Sequence, residues 1–432
     1  MNFYNLKHKE EQLNFKEATI KGQGKDKGLF FPEDISKFSN EFLQNLPNLS
    51  NEEIAFQVMK DFAGDEIPEA ELRKIVAETI AFEIPLKKVT ENISVLELFH
   101  GPTLAFKDVG ARFMSRCLGY FLKNETRKVT VLVATSGDTG GAVANGFYDV
   151  EGIEVVILYP KNRVSPVQEK QLTALGKNIH ALEVNGSFDD CQALVKQAFS
   201  DESLNEKLLL TSANSINVAR WLPQQIYYVL ALKQWLKIHS ENPVICVPSG
   251  NFGNICAGIL AHHRGLPVEH FIAACNVNDV VPEYLRTEIL KPKETVATIS
   301  NAMDVGDPSN FVRILELFDK EFNQVKNKLS GYTIDDEETL KTIKRVEKDY
   351  GYVLDPHGAV AFVALEKYLT ENDGKGFFLE TAHPVKFPDS VEQATGKSVE
   401  IPKSLEELMK QEKFTTEINP QYEELKEFLL KK

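Results

Sequence analysis

Val244-Ile245-Cys246-Val247-Pro248-Ser249-Gly250-Asn251-Phe252-Gly253-Asn254 decides how this chain is read. Four apolar residues form a short buried strand. A loop of small and polar residues follows, and then an apolar helix containing Ile255, Ile259 and Leu260. Glycines let a backbone approach an anion closely, and the amides that open a helix point toward it. Ser249 and Asn251 add side-chain donors. The loop lacks the Lys-Ser/Thr ending that grips a nucleotide, so a triphosphate is a poor fit. A tight strand-to-helix turn that uses glycine for geometry alone is the alternative.

The same pattern recurs on either side. Val129 to Ala134 reads as a buried strand, followed by Thr135-Ser136-Gly137-Asp138-Thr139-Gly140-Gly141 and a helix through Ala142 to Tyr148. Its hydroxyls and amides suit a carboxylate or phosphate, or serve only as helix caps. Further strands are expected at 155–158, 179–184, 271–274 and 377–379. Repeated strand–loop–helix units imply right-handed crossovers and parallel sheets covered on both faces. Residues 34–82 read as mainly helical, with Ile54, Val58, Phe62 and Leu72, Ile75, Val76, Ile80 at helical spacing. From Pro402 onward a charged helical appendage carries Leu405, Leu408 and Met409 as one stripe. The expected division is 1–95, 96–400 and 401–432.

Lys107 stands in His100-Gly101-Pro102-Thr103-Leu104-Ala105-Phe106-Lys107-Asp108. Most lysines are solvated surface groups, and Asp108 is equally a helix cap. Yet Leu104-Ala105-Phe106 makes this lysine leave an apolar segment, where desolvation lowers its pKa and favours imine formation. A lysine able to form a Schiff base beside a phosphate cradle is the minimum equipment for pyridoxal phosphate. Thr381, at the polar end of the 377–379 strand, offers a neutral hydroxyl to a ring nitrogen, or simply ends the strand. Asp355-Pro356-His357-Gly358 reads as a capped turn, with His357 placed to face a site.

Composition narrows the partners. The formal charge of −14 argues against nucleic acid and anionic membranes. Five scattered cysteines, Cys117, Cys191, Cys246, Cys256 and Cys275, form no metal or redox spacing and suit buried thiols in a reducing compartment. The nine histidines are dispersed, and adjacent His262 and His263 cannot share one helical face, so no metal is implied. No run approaches a membrane span, and the first residues lack a long apolar signal region, so cytoplasm is the expected address.

These segments together resemble threonine synthase, a pyridoxal-phosphate family of fold type II. The resemblance runs through HGPTLAFKD (100–108), TSGDTGG (135–141), LYPKNRVSPVQEKQ (158–171) and TSANSINVAR (211–220). It continues through PSGNFGN (248–254), CNVNDVVP (275–282), SNAMDVGDPSN (300–310) and ETAHPVKF (380–387). It implies an α/β fold of two parallel-sheet domains with an extra helical N-terminal segment and a C-terminal helical appendage. It further implies conversion of O-phospho-L-homoserine and water to L-threonine and phosphate, the last step of threonine biosynthesis, by γ-elimination and β-addition. Forms of this kind are generally monomers.

By the same resemblance Lys107 is the Schiff-base lysine, and Ser249, Gly250, Asn251, Phe252 and Gly253 hold the cofactor phosphate. Thr381 lies near the pyridine nitrogen. Ser136, Asp138 and Thr139 surround the substrate carboxylate and the ring hydroxyl. Arg163, Lys170, Ser215, Asn217 and Arg220 are the candidates for the substrate phosphate, unranked among themselves. Three alternatives stay open on the motifs: a phospho-lyase ending in a keto acid and ammonia, a dehydratase or cysteine synthase on the same fold, and a non-catalytic binder of a phosphorylated ligand.

Overall fold

The structure, a computed structural model, describes residues 1–123 and 128–431. Its N-terminal module folds β1 (Asn2–Asn5), β2 (Gln12–Asn14) and β3 (Phe30–Pro32) into an antiparallel sheet of order β2-β1-β3. Helices Asn51–Ala63 and Glu69–Thr79 follow, each burying the apolar stripe expected from its 3.6-residue spacing. Ser50 caps the first of them by accepting the Glu53 N–H.

The remaining strands are β4 (Leu86–Lys88), β5 (Ile93–Glu97), β6 (Val129–Ala134), β7 (Ile153–Pro160), β8 (Ile179–Val184) and β9 (Leu209–Thr211). After them come β10 (Val244–Pro248), β11 (His270–Cys275), β12 (Leu329–Thr333), β13 (Gly376–Glu380) and β14 (Thr415–Ile418). They form two sheets, of order β12-β11-β10-β13-β5-β4 and β14-β8-β7-β6-β9. Every pairing in them is parallel except β4 with β5.

Alternation along each central strand builds the cores on its two faces. Ile245 and Val247 of β10 join the large central core, whereas Val244 and Cys246 face the helix Pro356–Glu371 on the other side. Val129, Val131 and Val133 of β6 join that same central core, and Leu132 and Ala134 face outward to Leu194, Val195 and the C-terminal Leu425 and Leu429.

Two expected boundaries gain detail. The expected boundary after residue 95 falls inside β5, and its neighbour β4 belongs to the same six-stranded sheet. The C-terminal segment has its helices Lys403–Lys410 and Tyr422–Leu430, but it also contributes β14 as an edge strand beside β8. Only Ile418 of β14 is buried, so no apolar alternation announces it. All five cysteines are free and buried.

Candidate active site

β10 and β6 end in the two loops singled out from the sequence, and each loop runs into a helix without a side-chain cap: Gly253–His263 and Asp138–Phe147. Elsewhere Ser39, Ser50, Ser165, Ser187 and Asp335 close helix N-termini with their own oxygens. Thr135 Oγ1 takes the Gly140 N–H of the second helix; the other first-turn amides and the positive end of each helix dipole are open to an external anion.

The first loop is tightly shaped. Phe252 adopts a left-handed conformation, φ 60° and ψ 9°, which for a bulky residue costs on the order of 1–3 kcal/mol. Its ring packs against Phe311 at 5.6 Å, and that contact helps hold the turn. A Cβ on Gly250 would stand 2.6 Å from Met303 Cα, so only glycine fits there. Ser249 Oγ donates back to the Val247 carbonyl at 2.8 Å. Asn251 Nδ2 donates to Ser215 Oγ at 3.2 Å, and Asn251 Oδ1 accepts the Ser309 N–H at 2.7 Å. Gly253 lies directly against the Ser215 side chain.

Lys107 opens the helix Lys107–Leu122 and is held by a second strand-like contact. Ala105 bridges Ala382, the Phe106 N–H donates to the Thr381 carbonyl at 2.9 Å, and the His383 N–H donates to the Leu104 carbonyl at 3.0 Å. The lysine segment and the Thr381 segment are therefore one unit. The Lys107 side chain is 17% exposed, and its Nζ lies 3.9 Å from Asp138 Oδ2. Burial pulls its pKa down from the usual lysine value; Asp138 opposes this, while Lys386 and Arg220 reinforce it.

Asp138 meets a second lysine at closer range. Lys386 Nζ lies 2.7 Å from Asp138 Oδ1 and donates to the Thr103 carbonyl at 2.8 Å. Gln168 Nε2 donates to the same Asp138 oxygen at 2.9 Å. Burial alone would raise this carboxyl, but Lys386, Lys107 and the Gln168 hydrogen bond hold it well below the usual carboxylate range. Gly137, at φ 139°, turns the chain where a Cβ would strike Gln168, and Thr135 Oγ1 accepts the Gly137 and Gly140 N–H groups. Ser136 and Thr139 of this loop are half-buried.

The five phosphate candidates separate by surroundings. Arg220 is buried, donates through Nη1 to the Ala213 carbonyl, keeps Nε without a partner, and lies near enough to Lys107 to influence its charge. Ser215 joins the PSGNFGN loop through Asn251 and also accepts from Asn310 Nδ2 at 3.1 Å. Asn217 caps its own helix by accepting the Ala219 N–H, and its amide donates to the Thr19 and Ser212 carbonyls. The Lys170 ammonium donates to the Gln411 carbonyl, while Gln168 and Gln171 of the same helix face Asp138 and Thr103. Arg163 sits exposed in a turn.

His357 does not face the crevice directly. Its Nδ1 pairs with Asp355 Oδ1 at 2.9 Å, and its Nε2 accepts the Ala302 N–H at 3.2 Å, behind the Met303 backbone that packs on Gly250. Asp355 Oδ2 accepts the Ala382 N–H, so this cluster braces both the first loop and the Thr381 turn. Sequence reasoning gave no role to Lys386, Gln168, Asn310 or Arg313. Lys386 carried a readable signal: a cation between Val385 and Phe387 in an otherwise apolar turn.

The donor set suits pyridoxal phosphate: a buried amine, an ionised carboxylate beside it and two glycine-rich loops that open helices. Comparisons agree. Residues 2–80 match the family "Threonine synthase N terminus", residues 80–376 "Pyridoxal-phosphate dependent enzyme", and residues 358–429 "Threonine synthase, C-terminal". Threonine synthase of Haemophilus influenzae is 46% identical over 431 residues, covering 100% of both chains. The crystal structure of threonine synthase from Escherichia coli superposes with a TM-score of 0.93 at 44% identity, covering 100% of each chain. The pyridoxal-phosphate-bound threonine synthase from Brucella melitensis gives 0.93 at 35% identity, covering 99% of this chain and 98% of that one.

Proposed function

Because the chain belongs to the threonine synthase family of pyridoxal-phosphate-dependent enzymes, we propose that Lys107 is the amine that holds the cofactor and moves the reaction's protons. The enzyme is a carbon–oxygen lyase that converts O-phospho-L-homoserine and water to L-threonine and phosphate. One observation carries the assignment of the site: a buried lysine amine 3.9 Å from an ionised aspartate that opens a helix, with a second helix N-terminus following the PSGNFGN loop.

Ser249, Gly250, Asn251, Phe252 and Gly253 hold the cofactor phosphate through their amides. Asp138 would serve the ring hydroxyl, and the Thr381 hydroxyl would offer a neutral partner to the ring nitrogen. When bound, the cofactor supplies an electron sink for charge at Cα. Lys107, kept toward its neutral form by burial, takes the Cα proton and then serves at Cβ. Ser136 and Thr139 bind the substrate carboxylate at the opening of the Asp138–Phe147 helix. Arg220 and Ser215 receive the substrate phosphate, which leaves Cγ as the Cβ proton is lost. Arg220 suits this role because its buried fork has an unused donor. Protonation at Cγ, addition of water at Cβ and return of a proton to Cα complete threonine, and closure of the two domains would keep water out until water is needed.

No helix among the described residues is long and apolar enough to cross a membrane. Five buried free thiols support a reducing, cytoplasmic address. The charge of −14 supports a chain without nucleic-acid partners. We take it to act as a monomer.

The test is incubation of the cofactor-loaded protein with O-phospho-L-homoserine, following phosphate and amino products together. Equal amounts of phosphate and L-threonine are expected. Phosphate with a keto acid and ammonia would instead make it a phospho-lyase.

A further inference from the structure

We infer that Lys386 is a positioning residue that governs the charge of Lys107 by occupying the near oxygen of their shared partner, Asp138. The inference rests on the reading of Lys107 given above and extends it to a residue outside the reacting atoms.

The geometry is unequal. Asp138 presents Oδ1 to Lys386 at 2.7 Å and Oδ2 to Lys107 at 3.9 Å. Lys386 is 0% exposed, and its second contact is the Thr103 carbonyl, which also accepts from Gln171 Nε2 at 3.0 Å. Thr103 in turn is fixed by Asp108, which accepts its N–H and its hydroxyl. Lys386 therefore ties three segments together: the turn before Lys107, the TSGDTGG loop and the turn after Thr381. A buried carboxylate is stabilised by one close cation, and here that cation is Lys386. Lys107 is left at the longer distance, free to lose a proton without stranding a buried anion.

The charged groups around Lys107 come from four elements. Asp138 opens its helix, Lys386 ends the 384–386 turn, Arg220 comes from Val218–Trp221, and Asp355 precedes the helix Pro356–Glu371. Asp138 and Asp355 favour the ammonium, while Lys386 and Arg220 oppose it. Without Lys386, Asp138 would have Lys107 as its only lysine partner, and the balance at Lys107 would move toward the ammonium against the burial that opposes it.

The experiment measures acetylation of Lys107 by acetic anhydride in the full-length, cofactor-free chain, quantified by peptide mass spectrometry across a pH series. Only the neutral amine reacts, so the profile reports the charge of Lys107 independently of any turnover. K386M should move the midpoint upward. A midpoint about one pH higher slows the reaction about tenfold at any fixed pH below it. K386R should return the wild-type profile, because the cation is restored. K386Q keeps a donor for the Thr103 carbonyl without the charge, and its midpoint should rise as that of K386M does. Circular dichroism confirms that each variant is folded. A wild-type profile in either neutral variant, or failure of both to fold, would reduce Lys386 to a structural tie and overturn the inference. Loss of the Lys107 assignment itself would appear separately, as turnover surviving in K107A.

Discussion

The guanidinium of Arg313 donates two hydrogen bonds to the carbonyl of Phe30, from Nε at 3.2 Å and from Nη2 at 2.9 Å. The same group donates to the Ile216 and Ser215 carbonyls and to Asn310 Oδ1, and it lies over the Trp221 ring at 4.2 Å. Asn310 then donates to Ser215 Oγ and to the Asn251 carbonyl. One buried cation thus joins β3 of the N-terminal module to the loop assigned to the cofactor phosphate.

Arg313→Lys should damage both stability and cofactor binding. Lysine has three donors on a flexible stem, and no planar fork to serve five acceptor contacts. Leaving several buried carbonyls unpaired costs about 1–3 kcal/mol for each group that finds no substitute. A lower melting temperature together with weaker pyridoxal phosphate binding is expected, read by thermal denaturation and by absorbance titration of the cofactor. An unchanged value of both would disconnect the N-terminal module from the site.

Gly250→Ala should act on the cofactor more than on the fold. The added Cβ would meet Met303 Cα at 2.6 Å and the Ala302 carbonyl at 2.9 Å, both backbone atoms that cannot rotate away. The loop has to move, and its amides move with it. Cofactor affinity should fall at least about tenfold, which corresponds to about 1.4 kcal/mol. Equilibrium titration of the cofactor-free chain checks this, and wild-type affinity would remove the loop from the phosphate site.

The parallel sheets and the two strand–loop–helix units proposed to hold anions were legible because each rests on local pattern. An apolar strand of four to six residues followed by glycine, serine and asparagine reads the same in any context, as at 244–254 and 129–141. Lys107 was legible through its apolar approach, Leu104-Ala105-Phe106. Lys386 and Gln168 were not, since their partner Asp138 lies far from both in sequence and only the fold brings them together. The backbone partners of Asn217 and Lys170 were not legible either, because Thr19, Ser212 and Gln411 come to them only through the fold or the local turn. β14 escaped notice because an edge strand with one buried residue carries no alternation.

Glu380 gives a pH-dependent prediction. It is wholly buried; Oε1 accepts the Asp355 N–H at 2.6 Å, while Oε2 has no partner. Burial, with Asp355 and Glu97 nearby, pushes its carboxyl well above the ordinary glutamate value. The folded state therefore binds this proton more tightly than the unfolded chain. Its contribution to stability is complete below the unfolded value of about 4.3 and is lost as pH rises toward the folded one. Glu380→Gln keeps the acceptor for Asp355 and cannot ionise. The denaturant midpoint of E380Q should gain on that of the wild type as pH is raised from about 5 to about 8. A difference that stays constant across that range would show that Glu380 does not titrate with folding.

Lys107→Ala separates chemistry from structure. Among the described residues the ammonium's ion pair is the long one to Asp138, and Lys386 continues to neutralise that carboxylate after the truncation. Burying an amine among other cations is unfavourable, so removing it should leave the melting temperature unchanged or raise it. Turnover of O-phospho-L-homoserine should disappear, and the visible absorbance that pyridoxal phosphate acquires on joining a lysine should not develop. The pair of readouts divides the outcomes. A stable, colourless and inactive variant supports the assignment. A variant that still develops that absorbance would place the imine on another lysine, and one that retains turnover would take Lys107 out of the reaction altogether.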